Sequence, residues 1–181
     1  MNIFFGTWSG YKHTLKGILL RLVIFLVMMA LMRYTAAQVK TLSGGQGIID
    51  LYILPSPSFT AAALSRFTGK ARFFYQWGFF SVDMVYVLSY CTFYRCAIRY
   101  FMQRCPVNES TAEKLAFMPV VGGTADLFEN TVLFFMLGSG SAPAAICTLF
   151  CLLNTVKYLF VYASLITVIV GAVYTFRHRS S

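Results

Sequence analysis

The sequence predicts an all-α integral membrane protein: a bundle of four transmembrane helices with a short interfacial helix between the first and second spans. Composition is the first ground. Of 181 residues, 58% are hydrophobic and 12% charged, against roughly 45 to 50% and about 25% in an ordinary soluble domain. The second ground is the spacing of the apolar residues, which fall in four blocks of about the 20 residues a helix needs to cross a hydrocarbon core of about 30 Å. The third is what remains: connectors too short for a second folded unit, so residues 1–181 read as a single transmembrane domain.

The first span runs from about Gly17 to Ala37, with an unbroken apolar run from Leu22 to Met32 between Arg21 and Arg33. Those arginines are placed to snorkel to opposite interfaces. The preceding Met1 to Lys16 segment contains Lys12, His13 and Lys16 but no acid. Its apolar core starts late and no A-x-A site follows, so the expectation is a retained anchor after an interfacial segment. Residues 38–72 form the longest polar stretch. Within it Ser56 has the chemistry of an N-cap, Pro57 that of a first helical residue and Gly69 that of a C-cap, which predicts an interfacial helix over 56–70. Arg66, Lys70 and Arg72 beside Phe59, Leu64 and Phe67 suit it to the head-group layer.

The second span covers about Phe73 to Tyr94, the third about Leu115 to Leu137 and the fourth about Ala145 to Val173. A charged loop, Arg95 to Lys114, joins the second and third spans. The tight Gly138 to Pro143 turn makes the last two an antiparallel hairpin. Arg95, Arg99, Arg104 and Lys114 then share a face with Lys12, Lys16, Arg21, Arg177 and Arg179, against Lys40, Arg66, Lys70 and Arg72 on the other. The positive-inside rule places both termini on the cytoplasmic or matrix side, in a membrane the sequence does not name. The sequon Asn108-Glu109-Ser110 falls on that inner side and is expected to go unglycosylated.

The net charge of +9 is spread among the connectors instead of forming an aromatic-interleaved stripe, which argues against nucleic acid and for anionic lipid head groups. Cys91, Cys96, Cys105, Cys147 and Cys151 contain no CxxC pair, and His13 and His178 lie near the termini. No metal site and no cofactor is expected from that pattern. Cys147 and Cys151 share a helix face and read as packing. The Phe and Tyr excess reads as packing and interfacial belts.

The informative residues lie at mid-span. Asp83 is central in the second span, Asp126 and Glu129 in the third and Lys157 in the fourth. Helical spacing points their neighbours the same way: Asp126, Glu129 and Asn130 stand at i, i+3, i+4, as do Asn154, Lys157 and Tyr158, while Tyr86 lies one turn after Asp83 and Tyr90 one turn further. Facing lipid, four such groups would cost on the order of 10 kcal/mol, so they are expected to face one another, with Lys157 as counter-ion. The remaining negative charge calls for protonation of one or two carboxyls, or for a cation or water cluster. Pro119, Gly122 and Gly123 before Asp126 favour a kink or tight helix crossing.

The pattern Pro119-x6-Asp126-x2-Glu129-Asn130, followed by Lys157 and a basic end at Arg177, resembles an uncharacterised family of small four-span membrane proteins found chiefly in bacteria. Gly69, Arg72 and Tyr75 match an upstream Gly-Arg-Tyr element, and Asp83 and Tyr90 match the family's second span. Arg66 stands in place of a first glycine, and Tyr158 stands where the family usually has Trp. The resemblance covers roughly residues 50–179 and implies a four-span bundle without naming an activity.

Three functions fit these residues. The leading one is a non-catalytic subunit or scaffold of a membrane complex, or a self-associating protein, with the cluster fixing helix register. The second is a membrane enzyme or amphiphile-binding protein in which Asp126 or Glu129 is the acid/base, Lys157 steadies an anion, and Asp83 with Tyr86 orients the substrate; Asn130, Asn154 and Tyr158 complete the ligand or proton site. The third is a proton or cation conduit, which would need an oligomer or a partner.

Overall fold

The computed structural model describes residues 14–178, and all the regular structure among them is helical. Lys12, His13 and Arg179 lie outside the described residues. Helix α1 spans Leu15–Leu42; Thr14 caps it, its hydroxyl accepting from the Gly17 amide at 3.2 Å. Gly44 and Gly45 then take positive φ angles that residues with a Cβ avoid, and the chain turns back on itself. A single 3-10 turn, Ile49–Leu51, follows.

Helix α2, Pro57–Leu64, begins as expected: Ser56 Oγ accepts from the Phe59 amide at 3.1 Å and Pro57 opens the first turn. It ends sooner than the composition suggested. The expected C-cap, Gly69, instead opens the next helix, α3 (Gly69–Phe73), with a φ of 49°. Nor is α2 simply a surface element, because Thr60, Ala63 and Leu64 are buried, and the Thr60 hydroxyl lies 3.6 Å from Cys151 Sγ.

A π-helical turn, Phe74–Phe79, joins α3 to α4, Phe80–Met102. Helix α5 covers Glu109–Ser139 and α6 covers Ala144–Arg177. The charged loop expected between the second and third spans is therefore shorter than the charge pattern implied: residues 95–102 and 109–114 are helical. Asn108 of the sequon has a structural task, its side chain capping α5 by accepting from the Thr111 amide at 2.8 Å.

Helices α1, α5 and α6 are long and apolar enough to cross a membrane. Helix α4 is not in that set; it carries Asp83, Arg95 and Arg99 with four tyrosines among its 23 residues.

Helix α5 packs between α4 and α6, and two adjacent glycines make the approach close. A Cβ on Gly123 would collide with Cys91 Sγ of α4, and one on Gly122 would lie 3.1 Å from Phe160 Cβ and 3.4 Å from the Lys157 carbonyl of α6. The tight crossing expected before Asp126 is present on both sides of α5, and the helix continues through Pro119. Helix α1 packs on α4 through Phe25, whose ring stacks on Phe93 at 5.5 Å and on Tyr86 at 5.8 Å. Below, a core of Val39, Ile49, Leu64, Phe67, Tyr75, Phe79, Leu137 and Phe150 ties α1, the connector and α2 to α5 and α6.

Candidate functional site

Helices α4, α5 and α6 bring Asp83, Asp126, Glu129, Asn130, Asn154 and Lys157 together, all buried; Asp83, expected at the centre of its span, lies in the first turn of α4, just after the π turn. The ammonium of Lys157 is shared: Nζ lies 3.1 Å from Asp126 Oδ1 and 2.8 Å from Glu129 Oε2. Two amides extend the network. Asn130 Nδ2 donates to Asp83 Oδ2 and, at 3.2 Å, to Asp126 Oδ1, while Asn154 Nδ2 donates to Glu129 Oε1 at 2.9 Å. The Tyr90 hydroxyl donates to the other Asp126 oxygen at 2.9 Å. Asp126 thus holds three donors from three helices.

A fifth ionisable residue, absent from the sequence expectation, completes the group. Asp50, on the 3-10 turn, is 1% exposed. The connector folds inward, so that the Asp50 backbone carbonyl accepts from Asn154 Nδ2 at 3.1 Å and from the Tyr158 hydroxyl at 3.2 Å. Its carboxylate accepts from the Tyr75 hydroxyl at 2.6 Å, and that hydroxyl in turn accepts from the Ile49 amide at 2.8 Å. Tyr75 sits in the π turn, whose extra residue per turn changes the facing of the side chains. In the same turn Gln76 donates to the Phe134 carbonyl at 3.1 Å. Asp50 lies outside the spanning helices, and burial pushes its carboxyl above the ordinary carboxylate range, opposed by the Lys157 ammonium and the Tyr75 hydrogen bond.

Beside this network is a cavity of about 200 Å³, lined by Asp50, Asp83, Asp126 and Lys157, by Tyr86, Tyr90, Tyr94 and Tyr158, and by Met32, Leu51 and Val161. Helix α1, expected from the sequence as a retained anchor, supplies Met32 to the wall. The tyrosine wall is one face of α4: the rings of Tyr86 and Tyr90 lie 5.5 Å apart, and those of Tyr90 and Tyr94 6.3 Å apart. Leu51 is exposed and Tyr86, Tyr158 and Val161 are half-buried, so part of the cavity wall lies at the surface of the molecule.

No family model, curated protein or solved structure matches the chain.

The eight residues singled out from the sequence all belong to this site, though not alike: Asp83, Tyr86, Asp126, Lys157 and Tyr158 line the cavity, whereas Glu129, Asn130 and Asn154 stand behind it. Asp50, Tyr75 and Tyr94 were missed. The overlooked cue at Asp50 is an acid inside the run Ile48-Ile49-Asp50-Leu51-Tyr52-Ile53-Leu54, too apolar for an exposed connector. With all five groups ionised, four carboxylates and one ammonium leave a formal charge of minus three, which exceeds the expectation from the spans alone.

Proposed function

We propose that this chain is a four-span integral membrane protein whose helices hold a ligand-binding cavity open toward the surrounding lipid. The observation that carries the reading is the space beside Asp126: a core built only to fix helix register has its polar groups satisfied and its volume filled, whereas here polar groups from four elements surround about 200 Å³. The surface of α4 supports the span count. The outward stripe that runs through the end of α3, the π turn and α4, from Phe73 through Trp77, Ser81, Val85 and Leu88 to Thr92, is apolar except for two hydroxyls, and these are bonded to the Trp77 and Leu88 carbonyls at 2.7 and 2.9 Å. Twenty residues of helix rise about 30 Å, one hydrocarbon core. Before Arg95, the polar residues Asp83, Ser89, Tyr90 and Tyr94 are turned inward.

The subunit or scaffold reading draws support from the pairing of Lys157 with Asp126 and Glu129, an arrangement that locks α5 to α6. Native-nanodisc purification followed by mass spectrometry separates the two. Wild type is expected to retain a small molecule that the cavity-filling variant Val161→Phe, still folded, loses. A stoichiometric multisubunit complex with no retained small molecule would overturn the binding reading.

A further inference from the structure

We infer that the cavity is a seat for an organic ammonium group about the size of a lipid head group. This rests on the ligand-binding reading above and names the class of ligand.

Charge is the first argument. Lys157 is committed to Asp126 and Glu129. Asp50 and Asp83 are 1% and 2% exposed, and neither has an ion pair among the described residues. Each carboxylate has one side-chain donor among the described residues, Tyr75 for Asp50 and Asn130 for Asp83, and no cation of its own. Both residues line the cavity. Against the ionised form of these acids an anionic guest adds repulsion and a neutral guest brings no counter-charge, whereas a cationic guest brings both charge and donors and so favours that form over the protonated one that burial promotes.

Size and wall chemistry select among cations. At about 200 Å³ the space exceeds the roughly 150 Å³ that admits benzene and falls below the roughly 300 Å³ at which drug-sized pockets begin. A bare metal ion needs converging oxygen ligands, and among the described residues no group of three or more His, Cys, Asp or Glu is placed to hold one. The walls present aromatic rings from Tyr86, Tyr90, Tyr94 and Tyr158, with Met32, Leu51 and Val161 between. Aromatic faces attract ammonium groups, and apolar residues accommodate the carbon attached to them.

The test titrates the full-length protein in maltoside micelles, which contain no amine, with butylammonium, butanol and butyrate by calorimetry. Butylammonium is expected to bind and butyrate not to. Asp83→Asn, a near-isosteric change, is expected to weaken butylammonium at least tenfold, and Glu113→Gln, at an exposed carboxylate far along α5, to leave it unchanged. Should Asp83→Asn fail to fold, Val161→Phe takes its place and is expected to block binding sterically. A second arm exchanges the protein into nanodiscs of phosphatidylethanolamine or phosphatidylglycerol. Retention of phosphatidylethanolamine that butylammonium displaces makes a lipid head group the source; butylammonium binding with no lipid retained makes it a soluble amine, and either result supports the ammonium seat. Binding of butanol or butyrate in preference to butylammonium, or butylammonium affinity unchanged in folded Asp83→Asn, overturns the ammonium inference and leaves the ligand cavity standing. If none of the three probes binds, both readings fall.

Discussion

Lys157 holds two carboxylates at once, Asp126 at 3.1 Å and Glu129 at 2.8 Å, and that sharing fixes the sign of its removal. Replacing it with Met keeps the length of the side chain but leaves two buried acids without a cation, a change that costs about 3–5 kcal/mol when one partner of a buried pair is removed. Lys157→Met is therefore expected to unfold at markedly lower denaturant in mixed micelles. Adding Asp126→Asn and Glu129→Gln in the same chain is expected to restore most of the loss, because the two acids that Lys157 paired are then neutral. An unchanged midpoint in Lys157→Met would mean that the ion pairs do not form in the membrane. These acids and the lysine were legible in the sequence because each interrupts an apolar block, where an ionisable residue has to face inward. Asp50 was not, since its partners come from elsewhere: Tyr75, Asn154 and Tyr158 are 25 to 108 positions away, and no local period links them.

Helix crossing depends on what is missing from a side chain. Gly122 and Gly123 let α5 approach α6 and α4 together, and the Cys91 thiol, donating to the Pro119 carbonyl at 3.0 Å, lies where a Cβ of residue 123 would be. Overpacking of this kind costs about 1–3 kcal/mol. Gly123→Val is expected to lower the thermal midpoint in detergent and to loosen the Asp83, Asn130 and Asp126 contacts, and Cys91→Ala in the same chain to recover part of that loss. No recovery on removing the thiol would show that the strain lies elsewhere. The glycines announced this crossing in the sequence, and the N-cap role of Ser56 was equally plain. The end of α2 was not: Gly69 suits a C-cap by its chemistry, but burial of Phe67 against Tyr75, ring centroids 5.0 Å apart, turns the chain early, and the glycine's positive φ serves the start of α3. Helices α1, α5 and α6 run beyond the expected spans at both ends because hydrophobicity marks where a helix meets lipid, whereas hydrogen bonding continues it into water.

For the molecule as a whole, the decisive quantity is whether α4 crosses. Its polar residues divide by face: Asp83, Tyr90 and Tyr94 are buried, Tyr86 half-buried, and the outward stripe ends at Arg95, placed to meet the head groups once about 30 Å of apolar surface has passed. If α4 spans, the residues before it and the 103–108 connector after it lie on opposite sides of the membrane. The turn between α5 and α6 then returns to the first side, and the start of α1 and the end of α6 share the second, where the positive-inside rule predicts the cytoplasm or matrix. Single cysteines at Ser58, Gln103 and Ser141, in a chain whose five native cysteines are replaced, report this directly in sealed, oriented vesicles. An impermeant maleimide added outside is expected to label Ser58→Cys and Ser141→Cys together and to reach Gln103→Cys only after permeabilisation. Labelling of Ser58→Cys and Gln103→Cys from the same side would leave α4 lying on the membrane and place the Asp83 face near water. Such a position would remove the reason for its burial, because the acids gather around the cavity only if lipid lies behind every helix that carries them.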